Sequence, residues 1–145
     1  MRLLLPILAF AAGLGAFSGP ALAAARLVPQ TATGALEPYR GEPWYKAMEN
    51  CAGFHVYNAR RLSAASDGAG SEAAMTRAAD FMMPAARRIS EDGGITFSQG
   101  LEVAKPDVQN YATAIEFTAS DEPDFITGWT EACDEILAGY NKTFG

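Results

Sequence analysis

A long amphipathic helix is encoded by residues 42–62, which read EPWYKAMENCAGFHVYNARRL. Pro43 stands in the first turn, where its missing N–H costs nothing, and Arg60 and Arg61 complement the helix dipole near the end. Side chains that suit one buried face recur at three- and four-residue spacing. They are Trp44, Met48, Cys51, Ala52, His55, Ala59 and Leu62. The stretch therefore predicts a first helix that buries one stripe and carries Cys51 on it.

A second helical pattern follows a small-residue turn at residues 63–70. We predict that Ser71 caps this helix and that residues 92–94, Asp-Gly-Gly, end it. Pro84 lies inside the pattern and lacks a backbone N–H, so it should kink the helix or split it after Met82.

Two more helices are predicted in the C-terminal half. After a brief β-like run at residues 95–97, Ser98 could cap a third helix that Pro106 interrupts. Residues 120–123, Ser-Asp-Glu-Pro, mark a stop and the start of the last helix. Its apolar face is formed by Ile126, Trp129, Cys133, Ile136, Leu137 and Tyr140.

Four amphipathic helices joined by short turns predict an all-α fold, a small antiparallel bundle of about four helices. In a simple up-down-up-down ring the first and last helices are neighbours. Cys51 and Cys133 lie on the apolar faces of those two helices, so we predict one disulfide linking them. A redox-active pair is the alternative, but it favours close spacing and electropositive surroundings. The neighbours of these cysteines include Glu49, Glu131 and Asp134.

The N-terminus has the three regions of a secretory signal peptide. Arg2 precedes an apolar run, and Ala21-Leu22-Ala23 supplies an A-x-A cleavage signature. We predict a signal peptide at residues 1–25, an extended leader at 26–41 and a helical domain at 42–145. The protein is therefore expected to be periplasmic or secreted, without stable membrane insertion after cleavage. An uncleaved N-terminal anchor is the alternative.

Composition excludes several classes of protein. The 145 residues include 11 Lys and Arg against 17 Asp and Glu, for a net charge of −6. This balance argues against nucleic-acid binding, which needs clustered basic side chains. One His and two Cys exclude multi-histidine and four-thiolate metal sites supplied by this chain alone. We predict no bound metal and no cofactor.

His55 is the main candidate for a ligand-binding residue in this sequence. It shares a helical face with Met48, and Met82 lies on the second helix. Inward-facing His and Met hold haem or copper in some bundles, so a His/Met cofactor site is one alternative. The other interpretation is that the methionines fill the core and that His55 is structural.

Aromatic side chains exceed what one narrow buried stripe needs. Phe54 and Tyr57 point away from the main face of the first helix, as Phe81 and Phe117 do on theirs. Exposed aromatics mark partner surfaces, so these four residues form a candidate protein-binding surface. The alternatives are a wider core face and packing in a homodimer.

The sequence contains no catalytic motif, and we expect a protein that is not an enzyme. We predict an exported helical protein with a binding or structural role, such as an accessory subunit, an interaction protein or an inhibitor, whose partner is another protein. In general architecture the chain resembles small disulfide-bonded periplasmic helical chaperones, and an acid or stress chaperone is the second interpretation. On that interpretation, acid neutralises the carboxylates and the remaining positive charges loosen the fold.

Overall fold

The computed structural model describes residues 25–119, 121, 122 and 124–145. These residues form the short 3-10 helix η1 (Gly34–Tyr39) and the helices α1 (Trp44–Ala64), α2 (Gly68–Gly93), α3 (Phe97–Thr118) and α4 (Asp124–Phe144). The predicted all-α bundle is confirmed. The predicted signal peptide lies outside the described residues, apart from Ala25. Within the described ranges, no helix has the length and apolar character needed to cross a bilayer.

The starts of α2 and α3 are fixed by caps that differ from the predicted ones. Asp67, rather than Ser71, caps α2, because its carboxylate accepts a hydrogen bond from the N–H of Gly70 at 2.9 Å. Thr96, rather than Ser98, caps α3 and forms a capping box with Gln99. The Gln99 N–H donates to the Thr96 hydroxyl, and the Gln99 side chain accepts from the Thr96 N–H. This reciprocal pair satisfies two helix-end donors, which Ser98 could not do alone.

Neither internal proline ends its helix. Helix α2 continues through Pro84, and α3 continues through Pro106. A proline inside a helix costs about 3 kcal/mol. Phe81 and Ala85, on either side of Pro84, are fully buried, so the packing of the flanking turns favours a continuous helix. The predicted split after Met82 is therefore wrong.

Helix α1 is the centre of the bundle. It packs against α2, α3, α4 and η1, and α3 packs on α1 and α2. The predicted ring order is therefore wrong, although the first and last helices are neighbours as expected. Burial extends around the whole circumference of α1, in place of the single stripe that its sequence suggests. The buried residues of this helix are Trp44, Ala47, Met48, Glu49, Cys51, Ala52, Gly53, Phe54, His55, Val56, Tyr57 and Ala59.

Helices α1 and α4 run antiparallel, as their contacts show. Along α1, Trp44 meets Tyr140, Cys51 meets Cys133, Phe54 meets Trp129 and Tyr57 meets Phe125. Residue numbers rise on one helix as they fall on the other. The disulfide therefore lies between an aromatic contact at one end of the interface and two at the other.

The segment that precedes α1 packs onto the bundle. Val28 is buried, and its N–H donates to the carbonyl of Glu42 at 2.9 Å. Gly41 has φ +76° and donates its own N–H back to the carbonyl of Val28. This closed loop holds η1 against α1 and α4. The segment predicted to be an extended leader thus contains a 3-10 helix and contributes a core residue.

Gly53 permits the close approach of α1 to α3. A Cβ atom at this position would lie 2.5 Å from Cβ of Tyr111 and 2.9 Å from the backbone nitrogen of Ala112. We expect Gly53→Ala to lower the free energy of unfolding by about 1–3 kcal/mol, because α3 must move outward. The matched control is Gly128→Ala on α4, where a Cβ meets nothing within 4 Å. That change should stabilise the protein by about 0.5–1 kcal/mol through helix propensity.

Urea unfolding of both variants measures the difference. Equal stabilisation of both would show that α1 and α3 are not in contact at Gly53.

Candidate functional site

The predicted disulfide is confirmed. Cys51 and Cys133 are bonded, and their Cα atoms lie 5.5 Å apart. Both cysteines are fully buried, so the bond joins α1 to α4 inside the core. In the described part of the chain no cysteine is free.

An aromatic layer lies beside this bond, between α1 and α4. Phe54 stacks on Trp129 with ring centroids 5.4 Å apart, and Tyr57 meets the edge of Phe125 at 6.3 Å. Each pair contributes on the order of 1 kcal/mol beyond the area it buries. We call Phe54, Tyr57, Phe125 and Trp129 the α1–α4 aromatic layer.

Three of the four residues predicted to form an exposed partner surface are core residues. Phe54 and Phe81 are fully buried, and Tyr57 is 9% exposed. The reason is that α1 is enclosed on every side, so aromatics away from its main stripe meet another helix. Phe117 is 87% exposed and lies near the end of α3. In the folded protein Phe54, Tyr57 and Phe81 thus belong to a wider core face, and of the four residues only Phe117 is exposed.

His55 is buried near charged groups that connect α2 with α4. Its ring stacks on Phe81 at 5.3 Å and meets Phe54 at 4.9 Å. Its Nε2 has no hydrogen-bond partner among the described residues. Burial, together with the nearby Arg77 guanidinium, lowers the pKa of His55 to about 4, while Asp134 and Asp80 oppose the shift. The imidazole is therefore neutral at neutral pH.

Arg77 lies near this imidazole and joins α2 to α4. From α2 it pairs with Asp134 of α4, and it also pairs with Asp80 at 3.3 Å. Its guanidinium lies 5.2 Å from the Phe81 ring centroid, on the ring against which His55 stacks. An ion pair between two helices thus sits next to a buried titratable ring.

Met48 and Met82, the methionines of the predicted cofactor site, lie in different environments. Met48 is fully buried in the core. Met82 lines a cavity between α2 and α3 with Val56 and Val108, whereas His55 lies near Arg77 and Asp134. Within the described ranges, no three His, Cys, Asp or Glu side chains converge as metal ligands do.

Glu49 is a buried carboxylate that the helical pattern missed. Its side chain is fully buried, and neither carboxylate oxygen has a hydrogen-bond partner among the described residues. The nearest positive charge is Nζ of Lys46, 3.9 Å away, and Lys46 also pairs with Asp107 of α3 at 3.4 Å. Burial raises the pKa of Glu49 to about 7; Lys46 opposes the rise and Asp107 adds to it.

The sequence signal for Glu49 was weak. A Lys and a Glu three residues apart on a helix normally mark a solvated face. Here that face meets α3, because Gly53 lets the two helices approach. Two titratable groups with opposite shifts, Glu49 and His55, therefore occupy two different interfaces of the same central helix.

Comparison with known protein families, with curated proteins and with solved structures finds no match.

Proposed function

We propose that this chain is a small exported helical protein, periplasmic or secreted, with a non-catalytic binding role, and that acid exposes its binding surface as in a stress chaperone. The observation that carries the proposal is the burial of His55 close to the Arg77–Asp134 ion pair. The bound partner is another protein that has lost its own structure in acid. The signal-peptide pattern and the disulfide support export to an oxidising compartment.

Acid acts on the α2–α4 junction through His55. Since the pKa of His55 is about 4, its imidazole gains a positive charge in acid next to the guanidinium of Arg77. A buried cation is costly, and two neighbouring cations repel. This junction is therefore weakened in acid.

The junction between α1 and α3 responds in the opposite direction. The carboxylate of Glu49 is buried without a hydrogen bond, and its pKa is about 7. Protonation of Glu49 removes a buried charge and so stabilises the interface between α1 and α3. We expect α1, α2 and α3 to stay associated while α4 loosens.

Release of α4 would expose the α1–α4 aromatic layer while the disulfide keeps α4 attached. Phe54 and Tyr57 on α1, with Phe125 and Trp129 on α4, would then form two apolar surfaces joined by Cys51–Cys133. Large exposed apolar surface is what binds unfolded chains. The covalent tether makes the opening reversible when the pH returns to neutral.

Fluorescence of the dye ANS tests this proposal on the disulfide-bonded protein. We expect dye binding to rise between about pH 6 and pH 3 as apolar surface appears. His55→Phe should move the midpoint of that rise to lower pH, because its ring can stack but cannot charge. Asp134→Asn should move the midpoint to higher pH, because Arg77 already lacks this partner. The matched control is Glu102→Gln, which removes an exposed pair with Lys105 within α3 and should leave the midpoint unchanged.

In the same pH range the protein should suppress aggregation of an acid-denatured test protein. Dye binding that stays flat from neutral to acid pH would refute the acid response. A tightly bound protein that copurifies at neutral pH would instead favour the accessory-subunit or inhibitor interpretation.

A further inference from the structure

A cavity of about 570 Å³ lies where α2 and α4 end, away from the α1–α4 aromatic layer. Three arginines line it: Arg26 before η1, and Arg87 and Arg88 on α2. Glu91 is the carboxylate side chain in its wall. Glu91 and the adjoining Asp92 both pair with Arg88, so the three guanidinium groups outnumber these carboxylates by one, and a chain with a net charge of −6 keeps a local excess of positive charge at this concave site.

Arg88 is held rigidly at the back of this cavity. Its side chain is 7% exposed and pairs with Glu91 and Asp92. Its guanidinium lies 4.4 Å from the ring centroid of Phe144 and forms a hydrogen bond with the Tyr140 hydroxyl. Its Nε is buried without a hydrogen-bond partner among the described residues. A guanidinium fixed in this way is pre-organised, so little entropy is lost when an anion binds.

The other two arginines leave donors for a ligand. Arg26 lies against the Phe144 ring, 5.4 Å from its centroid, while its backbone N–H donates to Asp92 at 3.2 Å. Arg87 is exposed, and no carboxylate among the described residues forms an ion pair with it. Burial raises the pKa of the Tyr140 hydroxyl, and the charges of Arg88 and Arg87 oppose that rise. Both arginines therefore act on the Tyr140 side of the cavity.

The remaining walls are apolar or neutral. Met83 and Pro84 of α2 face the ring of Phe144 of α4, and Thr143 supplies a hydroxyl. The volume lies within the range of about 300–1,000 Å³ that is typical of small-molecule sites and exceeds what one inorganic anion would fill.

We propose that this cavity binds a small organic anion, a carboxylate or phosphate carried on an apolar body, between α2 and α4 at neutral pH. The oxyanion would accept hydrogen bonds from Arg87 and Arg26 beside the fixed Arg88 guanidinium. Its apolar body would pack on Phe144 and Met83. The inference goes beyond the acid-exposed surface, because the site exists while α4 is docked.

Calorimetric titration at neutral pH and low salt tests the site with benzoate and phenyl phosphate. We expect saturable binding of at least one, with Arg87→Gln weakening it about tenfold through loss of a charge-assisted contact. The matched control is Arg60→Gln, an exposed arginine on α1 outside the cavity, which should bind as the unaltered protein does. The stronger of the two ligands identifies carboxylate or phosphate as the natural head group.

Any one of four results would overturn the proposal. The first is no saturable binding of either anion up to about 10 mM, a concentration that detects even weak sites. The second is equal affinity of Arg87→Gln and the unaltered protein, which would place binding elsewhere. The third is binding of benzylammonium or of inorganic phosphate that is as tight as binding of the test anions. Equal binding of benzylammonium would show that the negative charge is not recognised. Equal binding of inorganic phosphate would show that the apolar body is not recognised. A loss of binding in Arg60→Gln as large as in Arg87→Gln would also contradict a site at this cavity.

Discussion

Replacing Cys51 and Cys133 together by alanine should lower the free energy of unfolding by about 2–4 kcal/mol. The two cysteines are 82 positions apart, and the chain-entropy cost of closing a loop of that length is about 4.5 kcal/mol. Native-state effects usually reduce the measured value. Since small domains are stable by only about 5–15 kcal/mol, the loss is a large share of the total. Urea unfolding under oxidising conditions measures it.

Reduction provides the control for the disulfide prediction. A thiol reductant should destabilise the unaltered protein by a similar amount and leave the double alanine variant unchanged. Both sulfurs are fully buried, so reduction should follow unfolding and be slow at neutral pH. Equal stability of the oxidised protein and the double variant would show that the bond adds nothing to the fold.

Glu49→Gln and His55→Phe should change the pH dependence of stability in opposite directions. The pKa of Glu49 is raised from 4.5 to about 7, so its contribution to stability is fully present below pH 4.5 and is lost as the pH rises to about 7. The pKa of His55 is lowered from 6.5 to about 4, so its contribution is present above pH 6.5 and is lost as the pH falls to about 4. Each shift corresponds to roughly 3 kcal/mol.

The two contributions nearly cancel in the unaltered protein between about pH 4.5 and 6.5, with slopes of about 1.4 kcal/mol per pH unit and opposite sign. The change that Glu49→Gln makes in the free energy of unfolding should therefore be more favourable at neutral pH than at pH 4.5. The change that His55→Phe makes should be more favourable near pH 4 than at neutral pH. Comparing differences between pH values removes the pH-independent packing change of each substitution.

Urea unfolding at several pH values, with exposed Glu102→Gln as control, measures these slopes. Other groups also titrate, so the difference between variant and unaltered protein is the quantity to compare. A pH-independent difference for Glu49→Gln would show that its carboxylate is solvated, and the same result for His55→Phe would show that its imidazole is accessible.

Helix content and the disulfide could be predicted because two independent patterns agreed. Three- and four-residue spacing placed Cys51 and Cys133 on buried faces, and antiparallel packing brought them level. The ends of the helices were less accurate, because Asp67 and Thr96 compete with nearby serines for the same capping role. Which residue caps each helix depends on side-chain geometry, which the sequence pattern does not specify.

The candidate site was largely hidden from sequence because α1 is buried all round. A single-stripe interpretation puts Phe54 and Tyr57 on a surface and Glu49 in solvent, and all three are in the core. The absence of a side chain at Gly53 explains the burial of Glu49, since it lets α3 pack over the polar face of α1. The arginine cavity was equally hidden, because Arg26 and Arg87 are far apart in the chain and meet only in the folded protein.

The central position of α1 also sets the order in which this chain can fold as it emerges from a ribosome or a translocation pore. Among the described helices α1 is the first long one to emerge, and Cys133, the partner of Cys51, follows 82 positions later. Until α4 emerges, the face of α1 that packs against α4 is uncovered. The fold is therefore not completed stepwise along the chain: α1 depends on α4, and its apolar face needs shielding until α4 has emerged.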